Sequence, residues 1–210
     1  YYLLMNKRIL LLLSIALSLC VSSFAINEKP FTIPEVKECK GLDGSIALSG
    51  RIIYKGLEEK KVAQQLADDY QQLFGKQLTL VQDKARKGDI VLRLKAEKAL
   101  GEEGYTMSIH DSPILSANDS KGLYWATRTL LQLLEQHPSH ALPRGEIRDT
   151  PDYPFRGVML DCGRKYFPMS MLRQYVKMLA YYKMNVFHIH LNDNAFQWFY
   201  NNDWSRTPAA

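Results

Sequence analysis

Arg164 and Asp193 are the residues whose type and position most readily do chemistry. Each stands just past an apolar run, Phe155-Arg156-Gly157-Val158-Met159-Leu160-Asp161 before the first and Val186-Phe187-His188-Ile189-His190-Leu191 before the second. If the runs are parallel strands, both side chains lie at C-terminal strand ends, where barrel enzymes assemble their sites. The alternatives are an Arg164 that satisfies loop carbonyls or a carboxylate, and an Asp193 that caps a turn or helix. His188 and His190 project from one side of the second run and invite a metal. We expect none, because a site needs three or four ligands and the sequence places no third His or Cys nearby. A hydrogen-bonded pair of interior histidines is sufficient. Asp161 and Arg156 read as structural, an acid and a base bracketing a buried strand.

The elements that must position these residues follow from periodicity. Between the two runs, Ser170 offers an N-cap to a helix whose apolar face is Leu172, Tyr175 or Val176, Leu179 and Tyr182. Strand, helix and parallel strand within about 35 residues make one βαβ unit, the building block of a parallel sheet or barrel. Upstream, Val62, Leu66, Tyr70 and Leu73 recur at helical spacing over residues 59–74, and Gly75 sits where a helix would stop. Leu78-Thr79-Leu80-Val81 reads as a strand. So does Asp89-Ile90-Val91-Leu92-Arg93-Leu94, with Ile90, Leu92 and Leu94 on one face, and so does the alternation of Tyr105, Met107 and Ile109 with Thr106, Ser108 and His110. A second helix, capped by Asn118, Asp119 or Ser120, carries Leu123, Thr127, Leu130 and Leu134. Nothing in this region gathers titratable groups into a site. Residues 26–144 are therefore expected to form an α+β accessory domain, with the stretch from Pro138 to Pro143 as linker and residues 145–210 beginning a second domain.

Met5-Asn6-Lys7-Arg8, an apolar run over residues 9–19 and the small-residue stretch Ser22-Ser23-Phe24-Ala25 have the three parts of a signal peptide, so residues 1–25 are expected to be upstream residues plus leader. The run is too short for a span of about 20 apolar residues. Export to the periplasm or medium follows, with a lipid anchor on Cys20 as a weaker alternative. Losing Lys7 and Arg8 takes the 27 basic residues to 25 against 22 acidic, a charge of +3. That mild and dispersed excess excludes a nucleic-acid binder, which shows a basic stripe. Cys39 and Cys162 remain in the exported chain, and whether they pair is not legible from spacing.

The segment Arg156-Gly157-Val158-Met159-Leu160-Asp161-Cys162-Gly163-Arg164-Lys165-Tyr166-Phe167, with Tyr182-Lys183-Met184-Asn185-Val186-Phe187-His188-Ile189-His190-Leu191-Asn192-Asp193, resembles the first βαβ unit of glycoside hydrolase family twenty. The resemblance implies a small α+β domain followed by the first units of a (β/α)8 TIM barrel, here incomplete. It implies a β-N-acetylhexosaminidase acting on terminal N-acetylhexosamine of a glycan, without cofactor or metal. By the resemblance, Arg164 hydrogen-bonds ring hydroxyls of the sugar, a role suited to a guanidinium's planar fork. Asp193 pairs with a later His that positions a catalytic Glu, as a carboxylate orients an imidazole in a triad. The family's route is substrate-assisted: the 2-acetamido oxygen attacks the anomeric carbon while the Glu protonates the leaving oxygen and an adjacent Asp holds the acetamido group. That Asp-Glu pair is expected downstream, because a whole barrel takes about 250 residues. The sequence departs from the commoner family pattern at Asn194, where many members carry a second acid. The aromatic loop of Phe196, Trp198, Phe199, Tyr200 and Trp204 reads as rim packing, with sugar stacking as the alternative. Two other classes remain in view, a non-catalytic carbohydrate-binding protein and a metal-dependent hydrolase using His188 and His190.

Overall fold

The computed structural model describes residues 26–191. The leader with Cys20, Asp193, Asn194 and the aromatic loop lie outside the described residues. The chain first builds a seven-stranded mixed sheet. Its strands are β1 (Glu38–Ile46), β2 (Arg51–Ile53), β3 (Thr79–Val81), β4 (Ile90–Leu94), β5 (Tyr105–Ile109), β6 (Pro113–Ala117) and β7 (Leu142–Asp149). The spatial order is β1-β7-β5-β6-β4-β2-β3. β3, β2, β4 and β6 run parallel, whereas β5, β7 and β1 are joined by antiparallel ladders.

Two helices cover this sheet. α1 (Leu57–Phe74) buries Val62, Ala63, Leu66, Ala67 and Tyr70, the three-and-four spacing that puts side chains on one helical face. Leu73, expected on that face, is exposed. The helix ends at Gly75, whose φ of 67° is left-handed and whose N–H donates to the Gln71 carbonyl at 2.9 Å. At its start, the buried Glu59 accepts from the backbone N–H of Gly56 and, at 3.1 Å, from that of Leu94, tying the helix to β4. α2 (Ser120–Glu135) is capped by Asp119, which accepts from the Gly122 N–H at 2.7 Å. It is buried almost all round, since the sheet lies on one side and helices on the other. Arg128 reaches Asp69 of α1 at 2.6 Å. The core combines Leu66, Leu123, Leu130 and Leu134 with Ile52, Ile90, Leu92, Met107 and Leu115. Val91 is also buried, so β4 is covered on both faces over its first half, while Arg93 beyond it is exposed.

The expected boundary after residue 144 does not coincide with the sheet. β7 crosses it and is hydrogen-bonded to both neighbours, Ile147 standing opposite Cys39 of β1 and Met107 of β5. Pro143 masked this strand. It lies beyond Gly145, the last residue of β7 opposite β5, so its missing N–H interrupts no ladder on that side.

The second unit is β8 (Gly157–Asp161), α3 (Met169–Tyr181) and β9 (Val186–His190), with β8 and β9 parallel in the register Val158↔Phe187, Asp161↔His190. This is the expected βαβ arrangement. Ser170 is not the cap. The helix starts one residue earlier, and the Pro168 carbonyl accepts from the N–H groups of Met171 and Leu172 at 2.9 and 3.1 Å. Of the expected apolar face only Leu179 is buried, and Tyr175 packs on Phe187 with ring centroids 5.3 Å apart. Val176 and Tyr182 are exposed.

Candidate functional site

Parallel pairing brings the ends of β8 and β9 together, and with them three ionisable side chains. The chain leaving β8 is folded back over β9, since the N–H groups of Cys162 and Gly163 donate to the His190 carbonyl at 2.8 and 3.1 Å. Asp161 accepts from the Gly163 N–H at 3.0 Å, and its Oδ1 lies 3.2 Å from His190 Nδ1. Its Oδ2 is 3.9 Å from Arg164 Nε. Some desolvation pushes the Asp161 carboxyl up, but the hydrogen bonds from His190 and Gly163 outweigh it and hold the group below its usual value. Arg164 thus sits just past the C-terminal end of the first strand, with its side chain half exposed and one flank against a carboxylate. Asp193, two residues past Leu191, lies outside the described residues.

Asp161, expected to bracket the strand, is the hub of the strand-end cluster, with Gly163, His190 and Arg164 around it. The signal was the two-residue period: Asp161 and His190 share a face with Met159 and His188 because their strands are in register. His190 has Asp161 as its partner rather than a second histidine. Among the described residues no group of three or more His, Cys, Asp or Glu is placed to hold a metal ion. Cys39 and Cys162 are free thiols, and burial pushes the Cys39 thiol up despite the nearby Lys29.

A second polar cluster lies at the opposite ends of the strands. Arg156, just before β8, donates to Glu103, to the Lys183 carbonyl at 2.8 Å and to the Tyr153 carbonyl at 2.8 Å, and its guanidinium lies over the Trp125 ring. Asn185, just before β9, also reaches Glu103, at 3.3 Å. Burial raises the Glu103 carboxyl, but hydrogen bonds from Arg156, Asn185 and Trp125 prevail and hold it below the usual range. Beside them, Lys183 Nζ donates to Asp149 Oδ2 at 3.0 Å and to Tyr105 Oη at 2.8 Å. Burial lowers the Lys183 pKa even though Asp149 pulls it up, and burial together with Asp149 drives the Tyr105 phenol well above its normal value. A cavity of about 280 Å³ opens here, between Trp125, Tyr153, Arg156 and Lys183. Sequence reading assigned nothing to Lys183, Glu103 or Asp149. Barrel enzymes build their sites at the C-terminal strand ends, and conservation at this opposite end reads as stability.

An α+β sheet followed by a parallel βαβ unit with Arg164 at its strand end defines a two-part chain whose second part is the building block of a parallel sheet or barrel. The model described as glycosyl hydrolase family 20, domain 2, matches residues 29–150, and that of the catalytic domain of the same family matches residues 153–200. The chain belongs to glycosyl hydrolase family 20, and β8, α3 and β9 begin its TIM barrel. It is 40% identical over 108 residues to a β-hexosaminidase of Vibrio furnissii, covering 50% of this chain and 17% of that protein. It is 30% identical over 131 residues to an N,N'-diacetylchitobiase of Vibrio harveyi, covering 56% and 15%. Among solved structures it resembles the family's β-N-acetylhexosaminidase from Streptomyces coelicolor, with a TM-score of 0.71 and 26% identity over 80% of this chain and 36% of that one. It also resembles a Streptomyces plicatus β-hexosaminidase variant in complex with the product GlcNAc, with a TM-score of 0.70 and 28% identity over the same shares. The match thus spans about a sixth of the length of these curated relatives.

Proposed function

We propose that the protein to which these residues belong is a β-N-acetylhexosaminidase that removes terminal, non-reducing N-acetylhexosamine from oligosaccharides or glycoconjugates by substrate-assisted, retaining hydrolysis. The observation that carries this reading is the place of Arg164, just past β8 and beside Asp161, within the segment matched by the family's catalytic domain. There its planar donors suit adjacent ring hydroxyls. In the same reading Asp193 orients a later His, and that His positions the Glu that protonates the leaving oxygen. The substrate's acetamido oxygen forms a bond to the anomeric carbon as the glycosidic bond breaks, and water then reopens the oxazolinium with retention of configuration. Neither metal nor cofactor takes part. Export belongs to the same proposal, supported by the leader-like order of residues 5–25.

The test uses the full-length gene product and an aryl N-acetyl-β-glucosaminide. A hydrogen bond from a charged donor contributes about 1.5–3 kcal/mol, so Arg164→Ala should lower kcat/KM on the order of 10- to 200-fold with an unchanged melting temperature. Arg164→Lys should restore little, because a point charge does not reproduce the fork. Prior treatment with a chelator should leave the rate unaltered. Near-full kcat/KM in Arg164→Ala would end the assignment, and loss of activity with chelator would favour a metal-dependent hydrolase.

A further inference from the structure

The turn between α3 and β9 contains a residue that the turn itself does not require. Lys183 has φ of 59°, the left-handed region that side chains other than glycine seldom adopt. A glycine would make the same turn without strain. Yet a lysine stands there, with its side chain nearly fully buried and its ammonium group enclosed by the accessory sheet. Its partners come from two neighbouring strands: Tyr105 opens β5 and Asp149 closes β7, and the two stand opposite each other in the ladder. Tyr105 Oη in turn lies 2.6 Å from Thr129 of α2 and 2.8 Å from Asp149. Each polar atom of this buried group therefore has a partner, as a buried charge demands. A second, independent clasp flanks it, since Glu103 of the accessory domain receives both Arg156 before β8 and Asn185 before β9.

We propose that Tyr105 and Asp149 form a socket in the accessory domain for the first βαβ unit of the barrel, with Lys183 as the inserted key that fixes where β9 stands. Lys183 is a positioning residue in this account. It holds the start of β9, and the register of β9 against β8 places His190 beside Asp161 at the far end. The accessory domain then has a task that does not involve binding sugar: it sets the geometry of the strand-end cluster from below. The proposal does not depend on the enzymatic reading, and its test needs no substrate.

The experiment is amide hydrogen exchange on the 210-residue chain, comparing residues 157–161 and 186–190 with residues 62–70 of α1. A residue that serves the turn alone should tolerate Lys183→Gly, which relieves the left-handed backbone and so keeps or improves protection. The key predicts the reverse. Lys183→Gly and Lys183→Met should each speed exchange in β8 and β9 by roughly tenfold or more, the scale of a lost charged hydrogen bond, while α1 keeps its protection. Asp149→Asn combined with Lys183→Met should add less than the two effects multiplied, because both break the same contact. Tyr105→Phe keeps the packing and removes only the hydroxyl, so it supplies the reading if a Lys183 variant fails to fold, and it too should loosen β8 and β9. Protection in Lys183→Gly equal to or above that of the parent, or no change with Tyr105→Phe, would overturn the proposal.

Discussion

Asp161 receives an N–H from Gly163 and contacts both His190 and Arg164, so its carboxylate form is favoured over its acid form. Its carboxyl should titrate below the ordinary value of 3.8, as followed by carbon-detected NMR, and should move back up in His190→Gln. Because the folded value is the lower one, the stabilisation is complete above the unfolded value and is lost as pH falls through the folded one. A titration at or above 3.8 would mean that desolvation dominates. Gly122 gives a second expectation at this scale. A Cβ there would lie 2.5 Å from the Gly104 carbonyl oxygen and 3.2 Å from Ala117 Cβ. Gly122→Ala gains at most about 1 kcal/mol in helix propensity, and crowding of a packed site removes about 1–3 kcal/mol, so urea unfolding should show net loss. Single residues were unevenly legible. Arg164 declared itself by following an apolar run. Asp161 and Lys183 did not, because an acid ending a strand and a lysine in a polar turn look ordinary until their partners, His190 and Asp149, 29 and 34 positions away, are brought beside them.

The helices α1 and α2 were readable because their buried positions recur every three or four residues and their termini carry Gly75 and Asp119. The strands β4 and β5 and the parallel pair β8 and β9 were readable as apolar or alternating runs. β1 was not, because Gly41, Asp43 and Gly44 look like a turn; it is an edge strand whose register against β7 shifts between Gly41 and Ser45. β7 was hidden by Pro143 and Gly145. Its place between β1 and β5 makes the strand boundary testable. Residues 26–151 should unfold cooperatively on heating. Residues 26–144 should not, since they lack the buried Ile147 and the Asp149 carboxylate, which accepts from Tyr105 Oη at 2.8 Å and from the Lys37 N–H at 3.3 Å. A sharp, reversible transition in the shorter chain would place the end of the accessory fold where the sequence reading put it.

At the scale of the molecule, one half is packed and the other open. Met159 and Ile189, on opposite faces of the β8–β9 pair, and Met169, Met171, Val176 and Met178 on α3 are all exposed, so this unit leaves apolar side chains open on several sides, and exposed apolar surface drives association. The 210-residue chain should therefore show concentration-dependent association by sedimentation velocity, which Met159→Lys combined with Val176→Lys should reduce. Its sequence contains no Asp-Glu dipeptide, so this chain should also fail to hydrolyse the aryl glycoside above a mock preparation; turnover by the purified chain would undo the proposed chemistry. The sheet order carries one more consequence, for synthesis on the ribosome. β1 is made first, but its partner in the sheet is β7, made last. At about 5–20 residues per second, β1 waits roughly 5–20 seconds as a nascent strand without its neighbour, a period when a ribosome-bound chaperone has something to hold. Tyr105 and Asp149 come together once β7 has joined the sheet, and Lys183 follows 34 positions behind Asp149. The seat for the barrel's first unit thus precedes, in chain order, the part that sits in it.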